Sequence, residues 1–135
     1  MELEKLYDIA DKENISVNDF KMKNKAIICR VNKEYHIGMN YSKINDSKEE
    51  KDLLAEELGH YYCNSFYNVN SDFSTISKKE YRANKWKSTV LVSVNDFKEA
   101  FKRGLNNVYE IADYLDLSED TVAFAYNYYK ENSYI

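Results

Sequence analysis

Ala55-Glu56-Glu57-Leu58-Gly59-His60 is the stretch on which the reading of this 135-residue chain turns. It has the form of a His-Glu-x-x-His zinc motif with glutamate in place of the first histidine. In the intact motif, two histidines at i and i+4 hold Zn²⁺ from one helical face. The glutamate beside the first of them acts as general base toward water. Glu57 and His60 fit that pattern, and Glu56 stands in the position of the first ligand.

The neighbouring residues support a helix with a purpose. Leu53, Leu54, Glu57, Leu58 and Tyr61 share one face at i, i+3, i+4 spacing. A carboxylate within an apolar stripe must be satisfied, because burial raises a carboxyl pKa and requires a partner. Glu56 and His60 stack at i and i+4, where both can donate to a single ion. Gly59 inside a helix costs about 1 kcal/mol relative to Ala, so it implies a close approach of another segment. Taken alone, the pattern is short and degenerate. Glu and His at this spacing are common on solvated helix faces.

Outward from this helix, the periodicity predicts an α+β chain. Leu3, Leu6, Tyr7 and Ala10 predict a helix over roughly 2–13, stopped at Asn14. Ile15 and Val17 suggest a short strand, and Ala26 to Val31 a second. Alternation of Tyr35, Ile37, Met39 and Tyr41 predicts a third, with Asn32-Lys33 as a hairpin turn. Asp46 or Ser47 caps the motif helix, which runs to about Cys63. Residues 64–76 lack periodicity and read as a loop. Ser77 and Glu80 form a capping-box signature for a helix that runs to about Leu91. Ser93 starts another helix, with Phe97, Ala100 and Phe101 inward and Gly104 as its stop. Val108–Leu115 and Ser118–Lys130 read as a close helix pair.

Composition narrows the class. The chain is 44% hydrophobic and 31% charged, which suits one globular domain with a small helical appendix. Its net charge of −4 argues against nucleic acid as the default partner. No apolar run is long enough to span a membrane, and the charged N-terminus lacks the features of a signal peptide. Cys29 and Cys63 read as reduced and buried in a cytosolic protein, with a disulfide between them the less favoured alternative. His36 falls on the solvent face of its strand. Trp86, Tyr126, Tyr128 and Tyr129 read as packing residues. The second helix of the C-terminal pair begins Ser118-Glu119-Asp120-Thr121, acidic where a DNA-reading helix would meet phosphate.

Several segments together carry a resemblance. Ala55-Glu56-Glu57-Leu58-Gly59-His60-Tyr61-Tyr62 resembles the H-E-L-G-H helix of the ImmA/IrrE family of zinc metallopeptidases. Glu80-Tyr81-Arg82-Ala83-Asn84-Lys85-Trp86 resembles that family's E-x-x-A-N-x-F helix. Glu110 to Leu115 and Leu117 to Val122 resemble its tail, E-L-A-x-x-F-x-V-S-x-x-x-V. The family's usual L-L-M-P ending of the second helix is replaced here by Val90-Leu91-Val92-Ser93.

The resemblance implies a small N-terminal antiparallel sheet packed on a zincin-like two-helix core over residues 1–92. A helix-turn-helix-like C-terminal subdomain would follow over 93–135. It implies His60 and Glu80 as metal ligands, Glu56 in the first-ligand position and Glu57 as general base. Zn²⁺ is the implied metal, with Mn²⁺ or Fe²⁺ as alternatives suited to a more oxygen-rich site. It further implies a bacterial cytoplasmic protein of a phage or mobile element that cleaves a helix-turn-helix repressor. Two outcomes of the Glu56 exchange stay open. Glu56 serves as a carboxylate ligand, or the site is metal-free and the protein is an inactive relative that binds a partner.

Overall fold

The computed structural model describes residues 1–64 and 72–135. It is α+β, as the sequence predicts: the described residues form three strands near the N-terminus and six α-helices. α1 spans Leu3–Lys12 and buries Leu6 and Ala10. Asn14 follows with φ 57°, the left-handed conformation that ends a helix and that Asn tolerates. β1 (Ser16–Asp19), β2 (Ala26–Val31) and β3 (Glu34–Met39) then form one sheet in the order β1-β3-β2.

The hairpin between β2 and β3 turns at Asn32 and Lys33, where predicted. Both have positive φ, 52° and 70°, as a two-residue type I′ turn requires. The sheet is nevertheless mixed rather than antiparallel throughout. β3 runs antiparallel to β2 but parallel to β1, with Val17 opposite Ile37. The chain goes up, down and up, and it inserts the third strand between the first two. Ile37 and Met39 of the central strand are fully buried.

α2 (Ser47–Tyr62) packs against α1, β2 and α3 (Phe73–Leu91). Asp46 is its N-cap and accepts a hydrogen bond from the Glu49 N–H at 2.9 Å. The expected loop over 64–76 differs from the structure. Residues 65–71 lie outside the described residues, while 73–76 are helical. Asp72 accepts from the Thr75 N–H at 2.7 Å and so caps α3 one turn before Ser77, which lies inside the helix.

α4 (Val94–Lys102) has a full capping box between Ser93 and Asp96. It buries Phe97 and Ala100, but Phe101 is largely exposed, its ring beside that of Phe97. Gly104 follows at φ 81° as the stop. α5 (Val108–Leu115) and α6 (Glu119–Glu131) form the expected pair, turned through Asp116 at φ 55° and capped by Ser118.

One apolar cluster runs from Leu6 through Ile37, Leu54, Leu58, Leu91 and Phe97 to Val122 and Tyr129. Tyr129 is buried, and Tyr126, Tyr128 and Trp86 pack against this core, as predicted. The cysteines correct an expectation. Both are free, but Cys29 is exposed and Cys63 only half-buried. The pleat explains Cys29: Ala26 and Ile28 pack against the core, so alternation sends Ile27, Cys29 and Val31 to the outer face. Among the described residues, no helix is long and apolar enough to cross a membrane.

Candidate metal centre

The motif helix is held along its length by other elements. Near its start, Lys51 Nζ donates to the Asp116 carbonyl at 3.1 Å and lies 3.3 Å from its carboxylate. Ser47 Oγ donates to the same carboxylate, and Thr121 Oγ1 donates to Asp52. Toward the sheet, Lys25 pairs with Glu49 at 2.7 Å. Tyr7 of α1 donates to Glu50. At the far end, the Tyr61 hydroxyl donates to Glu13 at 2.7 Å. These contacts fix the rotation of α2 and hence the direction in which Glu56 and His60 project. Sequence reasoning missed Lys51, Asp52 and their partners, because the pairing residues are more than sixty positions away.

Gly59 explains how α3 comes close. An added Cβ at Gly59 would stand 2.7 Å from the Ala83 carbonyl oxygen, a distance no real Cβ contact tolerates. The close approach implied by a glycine inside the motif helix is therefore that of α3, and Ala83 is the residue that touches. Glu80 lies one turn before Ala83 on α3 and reaches the end of α2. Its Oε1 is 3.5 Å from His60 Nε2.

The result is a convergence of Glu56, His60 and Glu80. One donor atom from each lies within 4.8 Å of the other two. Two donors sharing one ion at about 2.1 Å stand at most about 4.2 Å apart, so small side-chain rotations close the set around a cation. The His60 side chain is 11% exposed and that of Glu80 35%, so the group is sheltered yet reachable. Two carboxylates and one imidazole form a chemically sound donor set for Zn²⁺ and suit harder divalent ions as well. The residues present therefore fit a divalent metal.

Glu57 sits beside this group. Burial, with the negative charges of Glu56 and Glu80 added to it, pushes its carboxyl up to about 8. A cation between Glu56 and Glu80 would act in the opposite direction and favour the carboxylate form. The structure thus gathers the four residues singled out in the sequence: three donors and one carboxyl whose ionisation answers to their charge.

The other titratable candidates lie elsewhere. His36 is on the outer face of the sheet, as predicted, with Nδ1 2.6 Å from Ser16 Oγ and Glu34 3.8 Å from Nε2. Cys63 donates its thiol toward the Arg82 carbonyl at 3.5 Å, and burial raises its pKa. Neither belongs to the donor group.

No curated protein and no solved structure matches the chain. A family model does: the IrrE N-terminal-like domain, Peptidase_M78, matches residues 10–127. That span takes in the sheet, the motif helix, the Glu80 helix and most of the C-terminal helix pair. It unites all the segments whose resemblance to ImmA/IrrE proteins the sequence displays. The chain belongs to the IrrE N-terminal-like metallopeptidase family, Peptidase_M78.

Proposed function

We propose that this protein is a metal-dependent endopeptidase whose centre is Glu56, His60 and Glu80, with Glu57 as general base. The observation that carries the reading is the convergence of three donor atoms from two helices within 4.8 Å, beside the half-buried Glu57 carboxyl. Zn²⁺ is the favoured ion, and Mn²⁺ or Fe²⁺ suit the second carboxylate. A divalent ion held there would supply Lewis acidity toward a peptide carbonyl and toward water.

The chain's own residues do the rest. Glu56, His60 and Glu80 bind and orient the ion. Glu57, ionised once positive charge offsets Glu56 and Glu80, takes a proton from the attacking water and returns it to the leaving amine. The second glutamate also has a cost. It makes the site more anionic than a His-His-Glu centre, so the ion is a weaker Lewis acid. By family resemblance, the substrate is a helix-turn-helix repressor in the bacterial cytoplasm, cut to derepress a phage or mobile element.

A second reading is favoured by the identity of Glu56 itself. Loss of the first histidine is what an inactive relative would show, one that keeps the scaffold to bind a repressor. Metal content of protein purified without chelators separates the two. A stoichiometric divalent ion, lost in His60→Ala and kept in Glu57→Gln, together with repressor cleavage abolished by Glu57→Gln, supports the peptidase. No ion bound after soaking with Zn²⁺ or Mn²⁺ overturns it in favour of the binding protein. Cleavage at wild-type rate by Glu57→Gln would remove Glu57 from the mechanism.

A further inference from the structure

α3 has a second face that the metal centre does not use. The helix carries Lys78, Lys79, Arg82, Lys85 and Lys87 against a single acidic residue, Glu80, within a chain of net charge −4. Glu80 and Ala83 face α2. Lys78, Arg82 and Lys85 recur at i, i+4 and i+7 and therefore share the opposite face. Lys78 and Arg82 are exposed. With Ser77 and Tyr81, these three cations line an open groove of about 380 Å³.

Among the described residues, no carboxylate forms an ion pair with Lys78, Arg82 or Lys85. Residues 65–71, Ser-Phe-Tyr-Asn-Val-Asn-Ser, contain no acidic side chain. Like charges at i, i+4 on a helix, here Lys78 and Arg82, are destabilising by about 0.2–0.5 kcal/mol per pair. Among the described residues, Tyr81 is the one aromatic residue lining the groove. Tyr81 is 51% exposed and its ring rests against Phe124 at 5.5 Å, while Lys85 lies over the Tyr128 ring at 5.8 Å.

We propose that the Lys78–Arg82–Lys85 face of α3 is a docking surface for an acidic segment of a partner protein, held by charge and by an apolar residue against Tyr81. Seven residues of helix span about 10.5 Å, which is about three residues of extended peptide. The occupant is a peptide rather than nucleic acid for two reasons. The cationic stripe is short and set in an acidic molecule, which repels a long polyphosphate. The exposed Tyr81 ring suits a mixed acidic and apolar segment. Docking at this face does not require the metal centre and holds whether or not the protein cleaves its partner.

The test is fluorescence anisotropy on the full chain. The probes are a fluorescein-labelled peptide of glutamates interrupted by phenylalanine, its glutamine counterpart, and a single-stranded oligonucleotide. The acidic peptide should bind in a salt-sensitive way and more tightly than either other probe. The triple reversal Lys78→Glu, Arg82→Glu, Lys85→Glu should weaken it roughly tenfold or more, and the triple glutamine variant should weaken it by less. Reversal of the exposed Lys5, Lys21 and Lys98, an equal change in net charge, should have far less effect. Circular dichroism checks that each variant is folded. Absent peptide binding, equal loss in the control reversal, equal binding of the glutamine peptide, or preference for the oligonucleotide would each overturn the proposal.

Discussion

The Cα of Gly59 faces the backbone of Ala83 so closely that a methyl group at position 59 would meet the Ala83 carbonyl oxygen at 2.7 Å. This single contact sets the spacing of α2 and α3 at the point where the donor residues of both helices meet. Gly59→Ala should therefore destabilise the protein by about 1–3 kcal/mol through overpacking. That loss should exceed the gain of about 1 kcal/mol in helix propensity. Denaturant unfolding measures it, and an unchanged or raised midpoint would show that α3 yields without cost. The same variant should bind metal more weakly, because α3 carries Glu80.

Glu56→His restores the second imidazole of the zinc motif. The donor set becomes less anionic and softer, so Zn²⁺ should bind more tightly relative to Mn²⁺ than in the wild-type chain. Competition titrations with a chromophoric chelator give the ratio directly. An unchanged Zn²⁺/Mn²⁺ preference would mean that position 56 does not reach the ion.

The Glu57 carboxyl should make the metal-free protein sensitive to pH. Its folded pKa, about 8, lies above the ordinary 4.5, so between these values the folded state keeps a proton that the unfolded chain has released. Stability is then complete in this respect below about pH 4.5 and declines as pH rises toward 8. Unfolding of the chelated wild type across this window should show that decline, and Glu57→Gln should flatten it. A slope shared by both proteins would assign the effect to other groups.

Lys51 and Asp116 tie the start of the motif helix to the turn between α5 and α6. The Lys51 side chain is only 6% exposed, whereas Asp116 is half-exposed, so solvent screens part of the pair. The hydrogen bond from Ser47, with Lys51 beside it, holds the Asp116 carboxyl below its usual range. Asp116→Ala should cost about 1–3 kcal/mol, since it leaves the buried Lys51 with the backbone carbonyl but no counter-charge and places alanine at φ 55°. Asp116→Asn should cost less, because Asn tolerates that conformation and still offers an oxygen. Equal losses in the two variants would show that neither charge nor backbone preference matters there.

Much of this architecture is legible in local chemistry. Asn14, Asn32-Lys33, Ser93, Gly104 and Ser118 mark turns and caps, and each acts where its residue type predicts. Such signals are readable because they depend on a residue's own backbone preference and on neighbours three or four positions away. α3 starts earlier than its own capping-box signature suggests, for a related reason. Ser77 and Glu80 match a capping box, but Asp72 offers the N-terminal N–H groups an earlier acceptor, and the helix begins there.

The sequence by itself determined the helix that bears Glu56, Glu57 and His60, the α+β class and the family, because all three follow from periodicity and ordered motifs. Tertiary structure alone decided the rest. It placed Glu80 against His60 through the Gly59–Ala83 contact, ran β1 parallel to β3, and turned Cys29 outward. These outcomes depend on how elements far apart in the chain pack, and no local preference encodes that. The Glu56-Glu57-Leu58-Gly59-His60 stretch places Glu56, Glu57 and His60 together on one helix. Only packing brings Glu80 to them and gives Glu57 the surroundings that push its carboxyl pKa up.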